Sequence, residues 1–230
     1  MHDFYNRLSD VETASAALNT RPGFAAYLKD FSQLVTSLGV ADVFGTRLLH
    51  KHYDVDSATA VIERCREPDG ERVLRSSVEP IPAVPVPPAA WAWTADGLTA
   101  LEFSEDDSVE RAQARLQPAF VEDWSVLIKR TDLVDLLGLT VVQRHYLQPR
   151  AHHVFVETSD AVASTVSLRP STDARDSDIV TVWVAEPAAA CRPGNYCRKW
   201  STCRRSGSPP DDRHSVSYGH DAMQGPHGRG

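Results

Sequence analysis

The sequence predicts an α+β protein built from two tandem copies of one helix-plus-sheet unit. Three observations predict it. Two apolar stripes at helical spacing stand in corresponding places in the two halves of the chain. Each is followed by a run of short, turn-bounded strand patterns. The two halves also match when the chain is slid against itself by 93 positions. At that offset the segments 31–53 and 124–146 align without a gap, and six of the 23 positions are identical: Ser32/Ser125, Leu34/Leu127, Asp42/Asp135, Gly45/Gly138, His52/His145 and Tyr53/Tyr146. A glycine at a helix-to-strand junction serves a positive φ or a close backbone approach. Its recurrence with Asp three residues before it and His-Tyr seven and eight after it asks for a shared backbone.

The elements follow in order. Ser9 and Glu12 have the spacing of a capping box, so a short helix is expected up to Leu18. Pro22 starts a second helix, whose stripe is Phe24, Leu28, Phe31, Val35 and Leu38, with Gly39 placed to end it. Thr46 to Val55 reads as a strand. Thr59–Cys65 and Arg72–Ser77 read as a hairpin closed by Pro68, Asp69 and Gly70, and Trp91–Thr94 with Leu98–Phe103 as another around Ala95, Asp96 and Gly97. The Pro-rich segment 80–88 is extended, an edge strand or a connector. Pro118 starts the second long helix, with Phe120, Trp124, Leu127 and Ile128 as its stripe. Val141–Tyr146, His153–Thr158, Ala163–Leu168 and Ile179–Ala185 are then strands. The expected organisation is a helical extension (1–21), a first α+β repeat (22–106), a second (107–190) and a basic tail (191–230). Each repeat would be one long helix and an antiparallel sheet of about four strands, and the two would pack about a pseudo-twofold axis.

Charge separates the tail from the body. The chain has 24 Lys+Arg and 31 Asp+Glu, a formal charge of −7. Residues 191–230 hold seven basic and three acidic residues, so the body carries 17 against 28, or −11, and the tail +4. The acidic body argues against nucleic acid or an anionic membrane as a partner, except through the tail. The N-terminus lacks the basic and apolar regions of a signal peptide, and prolines break the most apolar stretch, 81–93. A cytoplasmic or nuclear protein is expected, with reduced thiols. The tail is poor in apolar residues beyond Arg204 and is expected to be disordered.

The segment LLHKHYDVD resembles the LLHRHF signature of a group of mostly fungal proteins. The likeness extends through VADVFG, the pattern of Trp91, Trp93, Glu102 and Phe103, and VEDWSVLIKRTDLVDLLGL and VFVETSD, over roughly residues 24–185. Lys51 and Tyr53 depart from the signature. The resemblance implies an intracellular protein of fungal type and carries no activity with it.

Two groups of residues offer chemistry. His50 and His52 are two apart on an expected strand, so they share a face, and His145 is the repeat partner of His52. Together they make a candidate transition-metal site at the repeat interface, with Asp54 continuing the face. The alternative is a pair of half-buried, hydrogen-bonded histidines that serve packing. The spacing of Gly45, His50 and His52 is similar to the first metal motif of cupins, but no Glu follows at the right distance and the second motif is missing. Cys191, Cys197 and Cys203 with His214 form a candidate zinc set, although their gaps exceed the usual two to four residues of structural knuckles. The hydrolase, zincin, nucleotide-phosphate and dinucleotide motifs are absent. Two readings of function stay open. One is a non-enzymatic protein that binds a protein or small ligand in a groove between two lobes, without a cofactor. The other is a metal-dependent enzyme.

Overall fold

The computed structural model describes residues 2–66, 73–142, 154–160, 162–172, 175, 177–185 and 197–204. They form helices α1 (His2–Asn6), α2 (Val11–Asn19), α3 (Phe24–Ser37), α4 (Asp107–Gln113) and α5 (Pro118–Arg130). The first strands are β1 (Phe44–Leu48), β2 (Thr59–Arg66), β3 (Val73–Pro80), β4 (Pro88–Thr94) and β5 (Gly97–Ser104). The others are β6 (Leu137–Val141), β7 (Val154–Asp160), β8 (Thr165–Ser171), β9 (Ile179–Ala185) and β10 (Cys197–Cys203). No described helix is long and apolar enough to cross a membrane.

The strands close into a single barrel in the order β1-β6-β4-β5-β2-β3-β8-β7-β10-β9, and β9 returns to β1. Pairing is antiparallel except between β2 and β5 and between β7 and β10. This corrects the α+β expectation. The described residues are mainly β, and among them there are no two four-stranded sheets packed as lobes. The reason lies at the sheet edges. Five strands from one half would leave two unpaired edges, which are open to association. Here β1 of the first half pairs β6 of the second, β3 pairs β8, and each half closes the other. The expectation of a disordered tail is corrected in part by the same closure. Cys197–Cys203, inside the segment 191–230, is the strand that joins β7 to β9.

The closed order keeps a symmetry. Exchanging β1–β5 for β6–β10 gives the same cycle read backwards. β1 and β6 pair about Thr46 opposite Leu139, residues 139 − 46 = 93 apart. Gly45 and Gly138 occupy corresponding places beside this pair. Neither has a positive φ. Each lets a tryptophan carbonyl from a neighbouring strand pass close: a Cβ on Gly45 would lie 2.9 Å from the Trp183 oxygen, and one on Gly138 would run into the Trp91 oxygen and lie 2.7 Å from Leu49 Cδ2. A backbone oxygen in a closed barrel cannot step aside. Gly138→Ala is therefore expected to lower stability by about 1–3 kcal/mol in urea unfolding, as overpacked sites do.

Local chemistry starts and stops the helices. Asp10, rather than Ser9, caps α2, with its carboxylate accepting from the Thr13 N–H at 2.7 Å. Gly39 (φ 65°) ends α3 in the left-handed region, with Val40 N–H donating to the Val35 carbonyl at 2.8 Å. At the end of α5, Asp132 (φ 58°) plays the same part, and Leu133 donates to Ile128. Both long helices lie outside the barrel. Tyr27, Phe31 and Val35 of α3 and Phe120, Trp124 and Ile128 of α5 bury against Phe44, Leu48, Leu137, Leu139, Trp91 and Trp183. A buried chain of hydrogen bonds from Trp124 Nε1 to the Tyr27 hydroxyl (3.0 Å), and between that hydroxyl and Thr46 (2.8 Å), ties the helices to β1. Strand alternation then turns Arg47, between Thr46 and Leu48, into the barrel.

Candidate metal centre

Beyond Leu48 the chain leaves the barrel wall. Leu49 N–H makes its bond to Leu136, and Lys51 N–H donates to the Ser9 carbonyl at 3.0 Å. The Lys51 ammonium holds the Asn6 carbonyl and the Asp54 carboxylate, each at 2.6 Å. His50 and His52 thus sit in a segment after β1 that bends at His52, instead of on a strand. The segment is pinned by the N-terminal residues, and both rings turn to one point. Their Nε2 atoms are 3.1 Å apart. The His50 Nδ1–H donates to the Leu48 carbonyl at 3.0 Å, and His52 Nδ1 lies 2.7 Å from the Ser159 hydroxyl.

Glu157 of β7 faces the same point, with Oε2 at 3.7 Å from His50 Nε2 and 3.6 Å from His52 Nε2. Its other oxygen accepts from Thr181 (2.8 Å) and Ser201 (3.0 Å). The parallel pairing of β7 and β10 sets Cys203 beside Glu157. Donor atoms of His50, His52, Glu157 and Cys203 all lie within 4.8 Å of one another. Two nitrogens bound tetrahedrally at zinc distances stand about 3.3 Å apart. The observed 3.1 Å is close to that spacing.

The electrostatics couple the carboxylate to the two imidazoles. Burial pushes the Glu157 carboxyl up, but its interactions with His50 and His52 outweigh this and hold it well below the usual carboxylate range. Burial, and then the charge of Glu157, pushes the Cys203 thiol up, so it is held as the thiol. Beside the cluster lies a cavity of about 70 Å³ whose lining includes His52, Glu157, Arg47, Glu102, Tyr5 and Tyr53. Arg47 and Glu102 form a bidentate pair across it, at 2.6 and 2.9 Å.

Of the residues expected from sequence, His50 and His52 come together. His145, Cys191 and His214 lie outside the described residues. Cys197 does not share a site with Cys203: its thiol donates to the Leu28 carbonyl at 3.3 Å, in the helical layer. Register shifts on either side of Ser201 separate the two orientations. Cys203 instead joins the histidines. Asp54 is exposed and pairs with Lys51. Glu157 escaped the sequence reading. Its signal was the alternation in VFVETSD, which puts a carboxylate on the same row as buried Phe155.

No protein-family model matches the chain, and no curated protein or solved structure does so.

Proposed function

We propose that the barrel holds one divalent transition-metal ion, of the zinc or iron(II) class, at His50, His52 and Glu157 with Cys203 as a fourth donor, and acts as a metal-dependent enzyme on a small molecule in the adjoining cavity. The observation that carries this reading is the convergence of two imidazoles, a carboxylate and a thiol whose orienting partners are already in place. A ligating histidine needs its second nitrogen fixed by a hydrogen bond. The Leu48 carbonyl does this for His50 and Ser159 for His52. Imidazole and thiolate donors select zinc or iron over magnesium or calcium.

Charge supports the same reading. With neutral histidines, the Glu157 carboxylate and a Cys203 thiolate among the four donors carry −1 − 1 = −2. A divalent ion balances this. The ion would supply Lewis acidity to an oxygen in the cavity. The chain's own residues orient the ligands: the Leu48 carbonyl holds His50, Ser159 holds His52, and Thr181 and Ser201 hold Glu157. The size of the cavity bounds the substrate. At about 70 Å³, it falls well under the roughly 300–1,000 Å³ of pockets for drug-sized ligands. A groove between lobes has no counterpart, because both halves share one barrel.

Cys203 favours a second reading, a closed four-donor site that only stabilises the fold. Cobalt(II) reconstitution distinguishes the two. The proposed enzyme binds about one cobalt per chain with a thiolate charge-transfer band, and Cys203→Ser loses the band but keeps the metal. A Cys203→Ser variant that no longer folds stably with metal would favour the structural site. A wild-type chain that binds no cobalt contradicts both.

A further inference from the structure

The cavity has an unmet demand that the metal ligands do not account for. Glu102 is taken by both amino groups of Arg47, and Glu157 Oε1 accepts from Thr181 and Ser201. The acceptors are thus largely engaged. The donors are not. Tyr5, 2% exposed, and Tyr53 line the cavity, and neither hydroxyl has a hydrogen-bond partner among the described residues. A phenol carries its proton at neutral pH, so both are O–H donors. Neither hydroxyl is among the side-chain atoms sealed from solvent without a partner, so both are open to the cavity and free to donate to what occupies it. Arg47 brings further N–H groups to the same lining, because its pair with Glu102 uses two of five.

The two tyrosines arrive from different directions. Tyr5 comes from α1, where it packs with Leu8 against Leu49, Val55, Val61 and Leu101. Asn6 holds this helix in place with bonds to both backbone groups of Val55, at 2.7 and 2.9 Å. Tyr53 follows the ligand His52 directly in the chain. Two unpartnered donors therefore meet in one small space beside the metal ligands.

We propose that this cavity binds a small oxygen acceptor of about acetate size, which accepts hydrogen bonds from Tyr5 and Tyr53 and turns an oxygen toward the metal at His50, His52 and Glu157. The proposal rests on the metal reading above. Its size follows from the cavity: about 70 Å³ is open to the centre of a water, and since about 10–15 Å³ of such space admits one water, the cavity has room for a molecule of a few heavy atoms. Its polarity follows from the donors. The shared chemistry is the oxygen acceptor, and either a carboxylate or a neutral carbonyl supplies it.

The test uses the cobalt-loaded full chain, with cobalt content measured first. Acetate and acetamide are titrated separately, and the cobalt absorption is followed. A saturable change with acetate supports a carboxylate ligand, and one with acetamide supports a neutral carbonyl. Tyr5→Phe and Tyr53→Phe, which keep the rings, are each expected to weaken the effective probe about tenfold, with cobalt affinity unchanged. Cobalt bound but unresponsive to both probes overturns the proposal and leaves the metal reading standing. Equal probe affinity in wild type and both Phe variants also overturns it. A chain that takes up no cobalt removes the metal reading and this inference together.

Discussion

His52→Ala is expected to take metal content from about one ion per chain to under about 0.1. Loss of a partner that merely orients a ligand costs about 10–100-fold in affinity, so loss of a ligand costs more than about 100-fold. The ring meets His50 at 3.1 Å, Glu157 at 3.6 Å and Ser159 at 2.7 Å, and alanine reaches none of them. Stability separates a metal effect from a packing effect. An ion present at about a thousand times its dissociation constant stabilises the native state by about 4 kcal/mol. Wild type should therefore melt well below its loaded temperature in chelator, and His52→Ala should melt alike with and without it. If the variant held metal as tightly as wild type, His52 would be a packing residue. Elemental analysis with paired melting curves makes the comparison.

Glu102→Ala is expected to be among the most destabilising single changes, at about 3–5 kcal/mol, because it strands a buried guanidinium. Arg47 and Glu102 are 13% and 19% exposed in their side chains, and their two hydrogen bonds are short and parallel. The double variant Arg47→Met/Glu102→Leu should recover most of the loss, since apolar replacements of such pairs are often neutral. The pair also sets a pH dependence. Burial raises the Glu102 carboxyl, but the Arg47 charge and hydrogen bonds outweigh it and hold it below 4.5. A carboxyl depressed on folding contributes its full stability above the unfolded value, and the contribution disappears as pH falls through the folded value. The stability gap between wild type and Glu102→Gln, read from urea unfolding, should thus be constant near neutrality and shrink below pH 4.5. A gap that widened in acid would show that Arg47 does not hold this carboxylate.

Local order was legible in the sequence, and closure was not. The expected hairpins appear as β2 with β3 and β4 with β5, where turn chemistry is local. The helix stop at Gly39 was legible for the same reason. The barrel depends on partners that no local pattern names. β6 pairs β1 and β4, and β10 pairs β7 and β9. β10 reads CRKWSTC, a charged and polar strand at a composition boundary, so its place in the wall was hidden. The site divides in the same way. His50 and His52 stand in one short motif and were visible together. Glu157 and Cys203 reach them only through the pairing of β7 with β10, a non-local contact. The sequence also gathered Cys203 with Cys197 by spacing alone, whereas the strand's register shifts turn Cys197 toward α3.

X-ray absorption on the zinc-loaded full chain tests the metal centre most directly, since it reads the donors themselves. The geometry described above predicts one sulfur at about 2.3 Å, with nitrogen and oxygen at about 2.0–2.1 Å and the outer-shell scattering of two imidazoles. A shell of light atoms without imidazole or sulfur, or a chain that retains no zinc, would contradict it.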